Sequence, residues 1–185
     1  DFFQRNLKSD IPYYLKHQKR IKINVKVLEV QSDADYQVEK KQFLKWAEDL
    51  NKTEKALIND FLNEQRINIS PTPGGMYFVL TKSGTGKNAV SGDLVKIHYE
   101  GRFIDGRYFD STKKNNEPVE FILGQEFIVI KGIEEAVKMM KEGDKALIIL
   151  PSDLAFGEKG AGEGIVPPFT AIIYEVELLK VDKIH

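Results

Sequence analysis

The feature that most constrains the fold of this chain is a strand–turn–strand pattern near its middle. Residues 95–103 alternate apolar and polar side chains, which is the period of a β-strand with one buried face. Asp105-Gly106 follows as a turn signal. A second strand leaves this turn and ends in Phe109-Asp110-Ser111. The pattern therefore predicts two antiparallel strands joined by a short turn.

The second half of the chain predicts further strands and one short helix. The predicted strands are Met76–Thr81, Asp93–Phe103, Arg107–Asp110, Val119–Leu123, Lys145–Pro151 and Thr170–Val181. A one-sided apolar stripe at helical spacing, which Gly143 is expected to terminate, is formed by Ile133, Ala136, Val137 and Met140. Many antiparallel strands with one short helix predict an α+β domain, in which a bent antiparallel sheet wraps around that helix.

The N-terminal residues predict a strand followed by a helical region. Residues 21–27 alternate apolar and polar side chains, but a lone strand can neither bury its face nor pair its backbone, so it needs a sheet from elsewhere. Residues 33–67 show helical periodicity in two apolar stretches. The first stretch consists of Phe43, Trp46, Ala47 and Leu50, and the second consists of Leu57, Ile58, Phe61 and Leu62.

Cap signals divide this helical region. Ser32 and Asp35 have the spacing of a capping box ahead of the first stretch. Asn51 and Thr53 are candidate caps for the second stretch. The sequence thus predicts two amphipathic helices. They either pack against their own chain or form a dimerisation arm, and the pattern favours neither.

Residues 70–75, Ser-Pro-Thr-Pro-Gly-Gly, are a linker by composition, because Pro stops a helix and Gly-Gly frees the backbone. We therefore divide the chain into a strand-containing segment at 1–31, a helical region with its linker at 32–70, and the α+β domain at 71–185. The sequence of residues 1–31 is weakly similar to that of the C-terminal end of the α+β domain. It is either the end of a degenerate first copy of that domain or a chance match between two amphipathic strands.

Composition restricts the classes of function. A chain of 185 residues with 42% hydrophobic content suits one domain with an appendage, or two small domains. The net charge of −1 gives no long-range attraction to nucleic acid or an anionic membrane. Cys is absent, which excludes disulfides and thiolate chemistry, and the three His residues lack metal-ligand spacing. No run approaches the ~18 apolar residues of a membrane helix.

The start at Asp1 rather than Met is expected of a processed or truncated product.

A series of short motifs runs from Gly75 to Val181: Gly92-Asp93, His98-Tyr99-x-Gly101, Phe109-Asp110-Ser111, Phe121-x-Leu123-Gly124, Ile130-Lys131-Gly132, Met140-x-x-Gly143, Pro151-x-x-Leu154-Ala155-Phe156-Gly157, Ile165-Val166-Pro167-Pro168 and Tyr174-x-Val176-Glu177-Leu178-Leu179. Through these motifs the chain resembles the FKBP-type peptidyl-prolyl cis-trans isomerases. Each motif is weak alone, but their order and spacing together are specific. The resemblance implies an FKBP-like sheet folded over the short helix.

The resemblance also implies a pocket between sheet and helix. Its implied catalytic residues are Tyr99, Phe109, Asp110, Ile130 and Phe156, and its implied substrate-binding residues are Val119, Val129, Ile133, Val166 and Tyr174. An apolar, aromatic-walled slot suits the apolar ring of proline. In this family the backbone N–H at Ile130 would bind a substrate carbonyl, and Tyr99 would orient Asp110. No metal or cofactor is expected.

Four of these positions depart from the common family pattern. Phe156 stands where Tyr is common, which removes a hydroxyl that could bind the ligand. Ile133 replaces the usual Trp at the floor, and Val119 replaces a common aromatic residue. Tyr174 replaces a usual Phe and brings a hydroxyl near the slot. The pocket stays apolar, but these changes put the catalytic rate and the affinity for macrolide inhibitors in doubt.

Two functions from different classes follow. The first is a prolyl isomerase that acts on X-Pro bonds of peptides and folding proteins. The second is a chaperone module that binds proline segments or unfolded proteins with little or no catalysis. Similarity to bacterial exported FKBPs with an N-terminal appendage implies a periplasmic or cell-envelope location, with lipid anchoring and a homodimer through the N-terminal region as open possibilities.

Overall fold

The computed structural model describes residues 32–125 and 128–184. The strand predicted at 21–27 and the N-terminal half of the weak internal repeat lie outside the described residues. The chain divides into two compact units, Asp1–Glu39 and Lys40–His185, and the sheet and the candidate site lie in the second.

The second unit contains an antiparallel sheet, with six strands in the described part of the chain. The strands are β1 (Tyr77–Lys82), β2 (Leu94–Phe103), β3 (Tyr108–Ser111), β4 (Val119–Ile122), β5 (Lys145–Leu150) and β6 (Ile172–Asp182). They lie in the order β1-β5-β6-β2-β3, and β4 also pairs with β2. All six strand predictions are confirmed, with ends within two residues of those expected.

The strand β2 is the centre of this sheet. One edge of β2 pairs with β6 from Leu94 to Phe103, and the other edge is shared between β4 and β3. The register of β2 slips between Lys96 and Ile97 against β6 and between Gly101 and Arg102 against β3. Such bulges bend a strand and increase its twist, so they help to curve the sheet.

A short helix, α2 (Lys131–Lys138), lies on the concave face of the sheet and buries Gly132, Ile133, Ala136 and Val137. The approach is close at Gly132, where a Cβ atom would lie 2.4 Å from Cδ2 of Leu150. The prediction that Gly143 terminates this helix is wrong. The helix ends at Lys138, and Gly143 instead adopts φ +90° and donates its N–H to the carbonyl of Leu178 at 2.8 Å. Sheet pairing takes precedence there over a helix cap.

The region before the sheet contains one continuous helix, α1 (Asp33–Glu64), so the prediction of two helices is wrong. The expected capping box is present, with the Asp35 N–H bonded to Oγ of Ser32 at 3.2 Å. Thr53 lies inside the helix and donates its hydroxyl to the carbonyl of Asp49 at 3.0 Å. A threonine that bonds back to the preceding turn can stay within a helix and does not start a new one.

The helix α1 packs on the face of the sheet opposite α2. Ile58, Phe61 and Leu62 form a small core with Ile149 and Ile173 of the sheet, among others. The main core lies on the other face, between the sheet and α2. Neighbouring strand residues point to opposite faces, which is how one sheet serves two cores. The aromatic residues earlier in α1, Phe43 and Trp46, are each 46% exposed.

Two adjacent residues test how α1 packs. Ile58 is 2% exposed and Leu57 is 49% exposed. We expect Ile58→Ala to lower the free energy of unfolding by about 2–5 kcal/mol, because it leaves a cavity in a closed core. Leu57→Ala should cost about 0.5 kcal/mol or less. Urea denaturation measures both, and equal small losses would contradict the packing described for α1.

Candidate active site

A cavity of 170 Å³ opens where β2, β3, β4, β6 and the start of α2 meet. Its lining residues are Tyr99, Asp110, Val119, Ile128, Val129, Ile130, Ile133, Phe156 and Tyr174. The walls are aromatic and aliphatic, and the carboxylate of Asp110 is the acidic group among the lining residues. The cavity therefore suits a small apolar ring that carries a few polar atoms at its edge.

Sheet register brings the lining residues together. Gly101 of β2 pairs with Asp110 of β3 on one side and with Tyr174 of β6 on the other. A Cβ atom at Gly101 would lie 2.7 Å from Cε1 of Tyr174 and 2.8 Å from Cζ of Phe109. Glycine at this position thus lets the two rings meet across the strand.

The aromatic walls contact one another edge to face. Tyr99 and Tyr174 have ring centroids 5.3 Å apart with an interplanar angle of 83°. Phe109 contacts Tyr174 at 5.8 Å and Phe156 at 6.3 Å, again close to perpendicular. These geometries are the favourable ones for aromatic pairs. The walls are therefore fixed by mutual packing, not only by the backbone.

One hydrogen bond gives the cavity its polar edge. The Tyr99 hydroxyl donates to Oδ2 of Asp110 at 2.9 Å. Burial, and next the bond to Asp110, raise the pKa of Tyr99 to about 12. Burial also raises the pKa of Tyr174 above its usual range. Both phenols consequently stay protonated to a higher pH than an unperturbed tyrosine does.

The side chain of Thr112 is hydrogen-bonded to the backbone of Tyr99 in β2. It is 8% exposed, accepts the Tyr99 N–H at 2.8 Å and donates its hydroxyl to the Tyr99 carbonyl at 3.1 Å. Sequence reasoning did not single out Thr112, the contribution of Ile128 or the spacing role of Gly101. A glycine inside a strand pattern often marks a close approach of another group, and that was the signal available for Gly101.

The structure brings eight of the ten predicted site residues to the cavity wall: Tyr99, Asp110, Val119, Val129, Ile130, Ile133, Phe156 and Tyr174. Phe109 lies behind the wall, where it supports Phe156 and Tyr174. Val166 is 2% exposed in the main core and does not line the cavity. The catalytic and binding roles assigned to these residues remain predictions.

A larger cavity of 530 Å³ lies elsewhere, between α1 and the segment Pro167–Ala171. We place the candidate site in the smaller cavity, because it combines an apolar slot with the hydrogen-bonded pair Tyr99 and Asp110. Over residues 32–125 and 128–184, no group of three His, Asp or Glu side chains could hold a metal ion. Over the same residues, no helix is long and apolar enough to cross a bilayer.

Comparison with known proteins links this geometry to one family. The family model for FKBP-type peptidyl-prolyl cis-trans isomerases matches residues 85–179. An FK506-binding protein of Neisseria meningitidis serogroup B is 42% identical over 108 residues, which cover 58% of this chain and 97% of that protein. The probable isomerase FkpA of the same organism is 42% identical over 119 residues, which cover 64% of this chain and 42% of that protein.

The fold is similar to that of solved relatives. The crystal structure of FkpA from Escherichia coli matches with a TM-score of 0.63 and 25% sequence identity, and it covers 83% of this chain and 74% of that one. The match spans between 42% and 56% of the length of three longer curated relatives. The α+β prediction, with a sheet folded over one short helix, is confirmed.

The shifted pKa of Tyr99 predicts how stability changes at alkaline pH. The pKa rises from 10.0 to about 12 on folding, so this contribution to stability is complete below pH 10 and is lost as pH rises towards 12. We expect Tyr99→Phe to lower the free energy of unfolding at pH 7 by about 0.5–1.5 kcal/mol, through the lost hydrogen bond.

The difference between wild type and Tyr99→Phe should then shrink as the pH is raised above 10. Urea unfolding of both proteins from pH 7 to pH 11 measures it. A difference that stays constant over that range would contradict a buried, hydrogen-bonded Tyr99.

Proposed function

This chain belongs to the family of FKBP-type peptidyl-prolyl cis-trans isomerases, and we propose that it catalyses the cis–trans isomerisation of X-Pro bonds in peptides and folding proteins. The observation that carries this proposal is the apolar, aromatic-walled cavity with one hydrogen-bonded Tyr–Asp pair at its edge. The matched region spans only part of several longer relatives, so the activity, substrates and partners of the chain are all included in the proposal.

The chemistry of the X-Pro bond explains why such a cavity could act. Amide resonance gives the C–N bond partial double-bond character and a rotational barrier of ~18–20 kcal/mol. Uncatalysed exchange takes about 10–100 s. The twisted transition state loses that resonance and much of the carbonyl dipole. An apolar cavity disfavours the polar planar amide relative to the twisted one, and so it binds the transition state better than the ground state.

Each lining residue has a role in this proposal. Ile133 at the start of α2 would form the floor beneath the proline ring, and the aromatic residues would form the walls. The Ile130 N–H has no acceptor among the described residues, so it is free to bind a substrate carbonyl. Asp110, held by Tyr99, would meet the polar atoms of the substrate at the cavity edge. No nucleophile is needed, since no bond is broken.

A second candidate function is binding without useful turnover. Its support is the set of departures from the common family pattern: a smaller floor at Ile133, an aliphatic wall at Val119 and no hydroxyl at Phe156. A chaperone module of this kind would hold proline segments or unfolded proteins. Macrolide inhibitors of this family would compete for the same cavity in either case.

Assembly and location belong to the same proposal. The half-exposed aromatic residues Phe43 and Trp46 of α1 support a homodimer through the N-terminal region, which sedimentation equilibrium would test. A periplasmic or cell-envelope location, with or without a lipid anchor, rests on the resemblance to exported relatives, and fractionation of the native host would test it.

An isomerisation assay on an X-Pro peptide, free of protease, tests the activity. We expect wild type to accelerate relaxation, and Asp110→Ala to lower kcat/KM about tenfold. This variant removes the acceptor of the Tyr99 hydroxyl, an exposed hydrogen bond worth about 0.5–1.5 kcal/mol, and about 1.4 kcal/mol corresponds to a tenfold change in rate. Asp182→Ala is the matched control, because it removes a carboxylate whose partner is Lys180, far from the cavity.

Absence of acceleration by folded wild type would exclude the isomerase and leave the binding module. A calorimetric titration with the same peptide then decides whether the cavity binds proline at all. Equal losses in Asp110→Ala and Asp182→Ala would show that the effect is not specific to the cavity.

Phe156→Tyr tests the missing hydroxyl. A neutral hydrogen bond contributes about 0.5–1.5 kcal/mol net, so we expect roughly two- to tenfold tighter binding of a proline peptide, measured by calorimetry. Phe169→Tyr adds the same hydroxyl outside the cavity and should leave binding unchanged. Weaker binding by Phe156→Tyr would mean that this wall has no room for the added oxygen.

A further inference from the structure

A buried carboxylate on α1 has no part in the mechanism above. Glu54 is 4% exposed, although α1 is otherwise a largely exposed helix. Its two oxygens accept hydrogen bonds from one residue of the sheet domain: the Ser152 N–H donates to Oε1 at 2.8 Å, and the Ser152 hydroxyl donates to Oε2 at 3.0 Å. The contact joins residues 98 positions apart in the chain.

Ser152 lies in the chain between the last strand residues of β5 and the cavity residue Phe156. It follows β5 and begins a single 3-10 turn, Ser152–Leu154. The preceding residue, Pro151, gives this turn no side-chain cap. Two residues beyond the turn, Phe156 forms part of the cavity wall. Glu54 therefore caps, from a distant helix, the turn that delivers Phe156 to the site.

The segment that follows is held at its start by a buried side chain. Leu154 is 2% exposed in the main core, while Ala155 and Phe156 are only half-buried. Phe156 contacts Phe109 at 6.3 Å across the wall, and no other aromatic partner for it is found in the described residues. Ala155 and Phe156 also pack against the main core, and the Phe169 N–H donates to the Gly157 carbonyl at 3.0 Å. The start of the turn is therefore one of the contacts that set the position of this ring.

We infer that Glu54 is a positioning residue for the cavity: through its paired hydrogen bonds to Ser152, α1 fixes the turn that holds Phe156 in the wall. The inference rests on the proposed function for its catalytic consequence. It extends the working unit beyond residues 85–179, the part that the family model matches, to a helix that lies before it in sequence.

The chemistry of the pair favours positioning over simple packing. Burying a carboxylate is costly, and an apolar side chain could fill the same space. Here burial raises the pKa of Glu54, and the two hydrogen bonds from Ser152 act in the opposite direction. Two hydrogen bonds to one residue fix both the distance of the turn from α1 and its orientation, because hydrogen bonds are directional and apolar contact is not.

The experiment compares Glu54→Ala with Glu54→Gln in the full chain. Glu54→Ala leaves the buried Ser152 N–H without an acceptor, and we expect kcat/KM for an X-Pro peptide to fall about three- to tenfold. Glu54→Gln keeps an oxygen for the Ser152 N–H and can donate its own N–H to the Ser152 hydroxyl, so it should stay within twofold of wild type. Glu48→Ala is the control, because it breaks only an exposed ion pair to Lys52 on the same helix.

Hydrogen exchange of backbone amides provides a readout that does not need activity. Glu54→Ala should accelerate exchange in residues 152–156 while exchange in β6 remains as in wild type. If wild type proves inactive, the proposed function fails, and this local change still supports or overturns the positioning role. Ser152→Ala removes one of the two bonds and should give a smaller change, which keeps the test open if Glu54→Ala does not fold.

Two results would overturn the inference. One is a Glu54→Ala protein that is less stable but has unchanged kcat/KM and unchanged local exchange, since that would make Glu54 a packing residue only. The other is a Glu54→Gln protein as impaired as Glu54→Ala, because rescue by the conservative variant is what paired hydrogen bonds require.

Discussion

The long antiparallel pairing of β2 with β6 is the constraint on which the rest of the structure depends. It runs from Leu94 to Phe103 and places Gly101 directly beside Tyr174. The other edge of β2 is divided between β4 and β3, so Val119 lies opposite Ile97 and Asp110 lies opposite Gly101, along the same stretch of β2. Without this register the aromatic walls and the polar edge of the cavity would lie on different faces, because a slip of one residue reverses every side chain.

The cavity depends on the absence of side chains at two glycines as much as on the side chains that line it. The missing side chain at Gly101 allows Phe109 and Tyr174 to meet, and the missing side chain at Gly132 allows α2 to lie against Leu150. The polar groups are few, and two of them, Tyr99 and Asp110, are hydrogen-bonded to each other. This arrangement supports the proposed isomerisation, in which the amide dipole is weakened and no covalent bond is broken.

Much of the fold could be predicted from local pattern, and the errors have physical causes. The strands of the described sheet were predicted to within two residues at each end, and β2 alternates in sequence because one of its faces lies in the main core. The division of α1 into two helices was wrong, because Thr53 satisfies its hydroxyl within the helix. Gly143 was a poor guide to the end of α2, because its N–H is used by Leu178 of β6. Most of the cavity residues were named through family resemblance, not through spacing.

The sequence by itself determined the strands, the apolar residues of α1 and α2, and the family, since these depend on side-chain period and on motifs of neighbouring residues. Only the tertiary structure decided which cavity combines the slot with a polar edge, that Val166 is a core residue, and that Glu54 reaches Ser152. The physical reason is the range of the interactions. Alternation and capping act over a few residues, whereas a hydrogen bond across 98 positions exists only after the chain has folded.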